Sequence, residues 1–192
     1  MPHYYDADSP LNPYKITVAA RGEEAEIWTG SGVFSRDKLD KATKLLIDSC
    51  IMEDGWDVLD LGCGNGVVSI LLGKAYPNAS FLATDVAQNA LKVAKMNARG
   101  RTFKVRKSDC YEKIPETFDT ILVNPPYVAG RKVVFSMLDG AKEHLKPGGL
   151  LQVVARHQKG GKMIKEKLME LFGNCDDSRK KGGFRVYICA KT

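Results

Sequence analysis

The sequence has no apolar run long enough for a membrane-spanning helix. Lys, Asp or Gly interrupts every apolar stretch before the roughly 18 residues that a span needs. The N-terminal segment MPHYYDADSPLNPY also lacks the basic and then apolar order of a secretory signal. These absences disfavour membrane insertion and secretion, and we expect a cytoplasmic protein.

Cysteine and histidine are few and scattered. The five cysteines form no Cys-x-x-Cys pair, and the chain has only three histidines. This disfavours both a disulfide framework and a zinc site, so we expect reduced thiols and no metal. The chain also lacks repeats and low-complexity tracts, and its 192 residues, 44% hydrophobic and 27% charged, fit one globular domain.

The net charge of +6 is unevenly distributed. Residues 131–192 hold 14 Lys and Arg against 6 Asp and Glu, whereas the first 130 residues hold 15 against 17. A basic C-terminal third favours a polyanionic partner such as RNA. A solvated Lys-rich helix face is the alternative, and charge alone does not decide between them.

The first part of the chain predicts a hairpin and a helix. Residues 15–20 and 25–29 flank a turn and are typical of paired strands. Ser35 is the expected cap of a helix that has Asp37 in its first turn and an apolar face from Leu39 to Leu46.

From Trp56 onward, apolar strands alternate with amphipathic helices. The predicted strands cover residues 56–61, 80–85, 103–108, 118–124, 150–156 and 184–190. The predicted helices cover residues 67–75, 87–99, 132–145 and 163–172. This alternation predicts an α/β fold, a parallel sheet with helices on both faces. Ligands of such sheets bind at the carboxyl ends of the strands.

A glycine-rich loop follows the first of these strands. It reads Asp60-Leu61-Gly62-Cys63-Gly64-Asn65-Gly66 and opens the helix over residues 67–75. The dinucleotide fingerprint would need a glycine where Val67 stands, and no Lys-Ser/Thr pair follows as in a P-loop. The loop is therefore expected to hold a different nucleotide-like ligand, or else to serve tight strand-to-helix packing.

Aspartates end three successive strands. Asp85 stands 19 residues after Gly66 and can accept hydrogen bonds from both hydroxyls of a ribose. Asp109 can accept from an adenine amino group, and Asp60 can hold the loop or meet a cationic group. Each aspartate alone is as well explained by a helix cap or a solvated turn, but the three together favour a nucleoside ligand.

The glycine loop with its three aspartates resembles the cofactor site of class I S-adenosylmethionine-dependent methyltransferases. The resemblance implies a Rossmann-like, mostly parallel seven-stranded sheet with an antiparallel C-terminal strand. It also implies S-adenosylmethionine as cofactor, with its amino-acid part near Asp60 and Gly62, its ribose at Asp85 and its adenine near Asp109. The cofactor-binding candidates are Asp60, Gly62, Cys63, Gly64, Asp85, Val86, Asp109 and Asn124. Cys63 is equally well explained as a small packing residue.

The tetrapeptide Asn124-Pro125-Pro126-Tyr127 ends the next strand. Residues before proline are held extended, so the side-chain carbonyl of Asn124 and the backbone carbonyl of Pro125 can together hold both hydrogens of a planar amino group. Holding the amino group in that orientation would contribute much of the rate enhancement. Tyr127 offers a flat face on which a nucleobase or an amide can stack. The motif resembles the N-P-P-Y/F motif of amino-directed methyltransferases, which act on adenine N6, guanine N2 or protein glutamine. A plain strand-ending turn is the alternative.

The segment GVFSRDKLD over residues 32–40 resembles the corresponding segment of small-subunit ribosomal RNA guanine-N2 methyltransferases. The similarity covers about residues 30–157. That family often carries a further N-terminal domain, so the chain is most similar to compact archaeal relatives. We expect one methyltransferase domain over residues 1–192, with an arm and hairpin over 1–35 and a helix and catalytic core over 36–192. Tyr127 stands where bacterial members tend to have Phe.

Four residues are candidates for substrate contacts. Arg131, Lys132 and Arg156 are expected to bind phosphates. Further phosphate contacts are expected from Lys159, Lys162, Lys165 and a turn over residues 179–181. Phe34 is expected to cover the cofactor or substrate, with a buried packing role as the alternative. For the oligomeric state, the sequence is compatible with both a monomer and a homodimer.

We therefore expect methylation of an exocyclic amino group of RNA, first of all guanine N2 of ribosomal RNA. Protein glutamine N5 methylation uses the same motif, but residues 1–29 are short for a protein-docking domain. Adenine N6 methylation is the other alternative within this class. A dinucleotide-dependent oxidoreductase is disfavoured by Val67, and a non-catalytic RNA-binding module leaves the aspartates unexplained.

Overall fold

The computed structural model describes residues 10–33, 38–101 and 103–192. Phe34, Ser35 and Asp37 therefore lie outside the described residues. Within these ranges, no helix is long and apolar enough to cross a membrane.

An N-terminal hairpin pairs β1 (Tyr14–Ala20) with β2 (Glu23–Thr29) in antiparallel register. Only Arg21 and Gly22 form its turn, and both have positive φ angles, 53° and 77°. Two such residues match the right-handed twist of the flanking strands. The predicted hairpin is confirmed, with β2 beginning two residues earlier than the sequence pattern indicates.

The main sheet has seven strands. They are β3 (Asp57–Leu61), β4 (Ser80–Asp85), β5 (Phe103–Lys107), β6 (Phe118–Val123), β7 (Leu145–Arg156), β8 (Asp176–Lys181) and β9 (Phe184–Ala190). Their order is β5-β4-β3-β6-β7-β9-β8. The first five are parallel, and β9 is antiparallel to both of its neighbours. The predicted mostly parallel sheet with an antiparallel C-terminal strand is confirmed.

Helices cover both faces of this sheet. They are α1 (Lys41–Ser49), α2 (Val67–Ala75), α3 (Gln88–Ala98), α4 (Arg131–Asp139) and α5 (Lys162–Phe172). Val58 and Leu59 are neighbours in β3 and point to opposite faces, as strand geometry requires. Val58 joins a core with α1, α2, α3 and the hairpin, whereas Leu59 joins a core with α4 and α5.

Asn97, fully buried in α3, connects the hairpin to the body of the fold. Its Oδ1 accepts a hydrogen bond of 2.7 Å from the backbone nitrogen of Trp28, and its Nδ2 donates to the carbonyls of Trp28 (2.9 Å) and Asn65 (2.8 Å). One buried amide thus fixes β2 against the loop that precedes α2.

The helix predicted to begin at Ser35 begins at Lys41 instead, so that start is wrong. Asp40 is its N-cap, because the Asp40 carboxylate accepts hydrogen bonds of 3.0 Å from the backbone nitrogens of Ala42 and Thr43. The described residues 38–40 are not helical.

The predicted helix over residues 132–145 is too long. It ends at Asp139, and Leu145 already belongs to β7. The apolar pattern continues past the helix end because Ala141 and Leu145 stay fully buried through the intervening turn. Apolar residues on one face of a helix and apolar residues of a turn packed on the same core give the same spacing in the sequence.

Strand β8 is absent from the prediction, which treats residues 179–181 as a turn. Its sequence DDSRKK has no apolar alternation, and it pairs only with β9 at the edge of the sheet. Charged edge strands prevent pairing between molecules and leave no hydrophobic pattern to detect.

Candidate functional site

A cleft opens at the carboxyl ends of the parallel strands. From β3 the chain proceeds outward to β4 and β5, and β6 then returns to the other side of β3, so the strand order reverses there. Open α/β sheets bind ligands at such a reversal. The cleft has an empty volume of about 1110 Å³, including the part open to solvent, and the glycine loop, the ends of β4 and β5, residues 124–126 and the start of α1 line it.

The glycine loop is held by the end of β4. The backbone nitrogens of Gly62 and Cys63 both donate to the carbonyl of Thr84, at 2.8 and 2.9 Å. Gly64 has a φ of 56°, and nothing lies within 4 Å of the position that a Cβ would take there. The loop therefore presents backbone, with no side chain, to a ligand at Gly64.

Asp85 links the loop to the next strand end. Its Oδ2 accepts a bond of 2.9 Å from the nitrogen of Gly64, and its Oδ1 accepts one of 2.8 Å from the nitrogen of Ala87. Burial raises the pKa of Asp85, although the bonds from Ala87, Gly64 and Val86 lower it. The carboxylate is thus fixed at the edge of the cleft. Its neighbour Val86 is 42% exposed.

Asp60 is directed into the protein rather than toward solvent. It is 3% exposed, and its Oδ2 accepts from both the nitrogen (3.2 Å) and the hydroxyl (2.8 Å) of Ser69 at the start of α2. Burial raises the pKa of Asp60 to about 6; the Ser69 bonds oppose this rise, and the charge of Asp85 adds to it. Its structural role is to hold α2 beneath the loop.

Two further cofactor candidates, Asp109 and Cys63, differ in exposure. Asp109 is exposed at the end of β5 and lines the cleft. Cys63 is buried, and burial raises the pKa of its thiol well above the ordinary value, so it stays protonated. It lines the cleft as a small side chain.

Asn124 immediately follows β6 and lines the same cleft. Its Nδ2 donates a hydrogen bond of 2.9 Å to Oγ1 of Thr43, on the first turn of α1. Pro125 is buried and also lines the cleft. With Nδ2 engaged, Oδ1 is the atom of this amide that is left to accept a hydrogen bond from a ligand.

Tyr127 stands at the entrance of the site rather than in the cleft lining. Its hydroxyl donates a bond of 2.7 Å to the carbonyl of Val154 in β7, and 36% of the side chain is exposed. Burial raises the pKa of Tyr127, so the hydroxyl remains a donor. The ring is therefore held in one place with part of its surface open.

The basic candidates lie at the same edge of the sheet but outside the cleft. The guanidinium of Arg131 lies over Phe135 (6.0 Å), and that of Arg156 lies over Phe184 (5.8 Å). Lys132 is exposed at the start of α4. Phe184 pairs with Arg156 on one side and Lys181 on the other, so the ends of β7 and β8 carry neighbouring cations.

Two residues of the site, Asp40 and Thr43, are not identified as functional from the sequence. Both line the cleft. Asp40, directly before the apolar pattern of α1, is a recognisable N-cap signal. Nothing local in the sequence indicates that Thr43 contacts Asn124.

Comparison with known proteins identifies the family. The model of the methyltransferase small domain matches residues 24–188. The chain belongs to the methyltransferase small domain family. Among similar proteins, the uncharacterized protein YbxB of Bacillus subtilis is 32% identical over 98% of both chains. The ribosomal RNA small subunit methyltransferase C of Photorhabdus laumondii is 31% identical over 97% of this chain and 54% of its own length.

Among solved structures, a 16S rRNA N2 methyltransferase of T. thermophilus, in complex with AdoMet and guanosine, has a TM-score of 0.81 at 22% identity. It covers 95% of this chain and 52% of its own. The predicted Rossmann-like methyltransferase fold is thereby confirmed. The chain spans about half the length of the ribosomal RNA methyltransferases that it matches.

Proposed function

We propose that this methyltransferase uses S-adenosylmethionine to methylate an exocyclic amino group of RNA, and that the group is guanine N2 of ribosomal RNA. The observation that carries the proposal is the bond from Asn124 to Thr43, which fixes a side-chain carbonyl at the cleft. We also propose that the whole chain acts as one methyltransferase domain.

The residues present fit the cofactor. Gly64 lets a ligand approach the backbone, and Asp85 stands fixed one strand away to accept from ribose hydroxyls. Asp109 and Ser108, at the end of β5, would receive the adenine. S-adenosylmethionine supplies a methyl group carried on a cationic sulfur.

The amino group of the substrate would be held by two acceptors, Oδ1 of Asn124 and the carbonyl of Pro125. Because an exocyclic nitrogen shares its lone pair with the ring, fixing both hydrogens favours the pyramidal, nucleophilic form. Thr43 holds the Asn124 amide in advance, so less ordering is needed when the substrate binds. No strong base is required, since the proton becomes acidic once the nitrogen is quaternised.

RNA would approach along the edge that carries the cations. Tyr127 offers its open ring for stacking of an extruded base. Arg131, Lys132, Arg156 and Lys181 lie at the starts and ends of elements on that edge and would bind phosphates. Phe34 remains a candidate cover for the site, outside the described residues.

The choice of ribosomal RNA as substrate is supported by the relatives. Several carry names of ribosomal RNA methyltransferases, of the small subunit and of the large subunit. Glutamine and adenine present a similar NH2 group, so the same four-residue motif would serve them.

A labelled-methyl transfer assay tests the proposal. The purified protein is given S-adenosylmethionine with small-subunit rRNA, large-subunit rRNA, tRNA, DNA or a release-factor protein, and the products are hydrolysed and separated. We expect label in N2-methylguanosine of ribosomal RNA. Label in N6-methyladenosine or methylglutamine would assign one of the alternative substrates, and no label in any arm would contradict the proposal.

A further inference from the structure

Two cysteines that are distant in the sequence are neighbours in the sheet. Asp176 of β8 lies opposite Ile188 of β9, and the same antiparallel register one residue further places Cys175 opposite Cys189. Opposite residues of an antiparallel pair have Cα atoms about 4.5 or 5.5 Å apart. Disulfides span Cα separations of about 4.4–6.8 Å, so the backbone alignment allows one without rearrangement.

Asn174 fixes this end of the strand pair. Its Oδ1 accepts a hydrogen bond of 2.7 Å from the backbone nitrogen of Ala190, and its Nδ2 donates one of 2.9 Å to the carbonyl of the same residue. Cys175 therefore lies between two points that are bonded to β9, the Asn174 side chain before it and strand β8 after it. Its position relative to Cys189 is held from both sides.

The two thiols, both free in the structure, point to the same face of the sheet. Cys189 is fully buried in the core that contains residues of α4 and α5, and Cys175 is partly buried against that core. A side-chain hydrogen bond between the thiols lowers the pKa of Cys175 and raises that of Cys189. Burial opposes the lowered pKa of Cys175, and the charge of Lys165 adds to it.

The two sulfurs are thereby fitted to different steps of an oxidation. The thiolate is the reactive form of cysteine, and the partly exposed Cys175 is the thiol that supplies it. Cys189 is enclosed by the core, so an oxidant from solvent reaches Cys175 first. A cysteine that is oxidised first, next to a second that resolves it, is the arrangement of reversible redox sites.

We propose that Cys175 and Cys189 form a reversible disulfide when the protein meets a peroxide. The Cys175 thiolate attacks one peroxide oxygen, the O–O bond breaks, and the departing hydroxide takes up a proton to leave as water. The product is a sulfenic acid. The Cys189 sulfur then attacks the Cys175 sulfur, so the S–S bond forms and the S–O bond breaks. The hydroxyl leaves with the Cys189 proton as a second water.

The bond would hold β8 on the sheet. This strand lies at the edge, pairs only with β9 and has an irregular register with it. The disulfide would close a loop over residues 175–189 and stabilise the fold by restricting the unfolded chain. Cys189 pairs with Leu151, whereas the far end of β9 pairs with Arg156 at the carboxyl edge. The site is therefore remote from the cleft, and the inference does not depend on the proposed function.

Treatment of the reduced full-length chain with hydrogen peroxide tests the proposal. Trypsin cleaves after Arg179 and Arg185, so the two cysteines fall in different peptides. We expect a non-reducing digest to contain these peptides joined, and the intact chain to be lighter by two hydrogen atoms. Dithiothreitol should restore the reduced mass. The oxidised protein should melt roughly 5 °C above the reduced protein.

Cys175→Ser and Cys189→Ala should each lose both the joined peptides and the rise in melting temperature. Cys110→Ser is the matched control, because Cys110 is also partly exposed but burial raises the pKa of its thiol to about 11. It should form the same disulfide as wild type. Melting of each reduced variant checks the fold, and the partly exposed Cys175 tolerates Ser even where Cys189→Ala fails to fold.

Three results would overturn the inference. The first is oxidation of Cys175 that stops at the sulfenic or sulfinic acid, with no joined peptides. The second is a disulfide between two chains or between other cysteines. The third is a disulfide between Cys175 and Cys189 that leaves the melting temperature unchanged, since the bond would then not hold β8.

Discussion

The side-chain amide of Asn124 donates a hydrogen bond of 2.9 Å to the hydroxyl of Thr43, 81 residues earlier in the chain. This bond joins the segment after β6 to the first turn of α1. It leaves the Asn124 oxygen as the acceptor at the cleft and makes the geometry of the site depend on α1.

Replacement of Asn124 by Ala should abolish methyl transfer while the cofactor still binds. The substitution removes one of two acceptors for the amino group, a loss of about 100- to 1000-fold in kcat for a fixed polar group of this kind. Single-turnover transfer and calorimetry on the same preparation separate the two effects. Asn78→Ala, an exposed asparagine bonded to Asp54, is the control and should retain activity. Retained turnover in Asn124→Ala would contradict the mechanism.

Thr43→Val should lower kcat by about tenfold, the worth of one hydrogen bond that orients another group. Thr43→Ser, which restores the hydroxyl, should recover most of that loss. The KM for the cofactor should change little, because Thr43 acts through Asn124. If Ser fails to rescue, the threonine is needed for packing, and the positioning role is wrong.

Asp60 should make the stability of the protein depend on pH. Its pKa rises from 3.8 in the unfolded chain to about 6 in the fold, so the folded state binds the proton more tightly. The ionised, buried carboxylate therefore destabilises the protein increasingly as pH rises from about 4 to 6. Asp60→Asn should be more stable than wild type by about 2–3 kcal/mol above pH 7, with the difference vanishing below about pH 4.

Urea denaturation of the ligand-free proteins at several pH values between 4 and 8 measures this difference. A constant difference between Asp60→Asn and wild type at every pH would show that the effect is not one of ionisation.

The cations at the carboxyl edge should govern RNA affinity. Alanine at both Arg156 and Lys181 should weaken binding and lower the slope of log K against log salt by about 0.7 for each RNA phosphate that the variant no longer binds. Lys92 and Lys95, exposed on α3, provide a charge-matched control pair. Equal salt slopes for both double variants would mean that the cations at the ends of β7 and β8 are an ordinary solvated surface.

Regular periodicity predicts the interior of this fold well. The bounds of α2, β4 and β9 agree with the sequence pattern because each is a mainly apolar segment bordered by glycine or polar residues. The glycine loop and the aspartates at the ends of β3, β4 and β5 converge on one cleft because parallel strands bring their carboxyl ends to one edge.

Features that depend on distant partners are not predictable in this way. Strand β8 exists because β9 supplies hydrogen bonds to a charged segment. The start of α1 depends on which of two residues, Ser35 or Asp40, supplies the cap. The contact between Thr43 and Asn124 has no local pattern at all, since it arises only when α1 is placed against the sheet.

The buried amide of Asn97 also bears on how this protein can be shortened. A version that starts after Thr29 would lose both Trp28 partners and leave a carbonyl and an N–H of that amide unsatisfied. Each such group costs about 1–3 kcal/mol. The remaining bond of Asn97 reaches Asn65, next to Gly64, so trimming the first two strands would also loosen the glycine loop at the cleft.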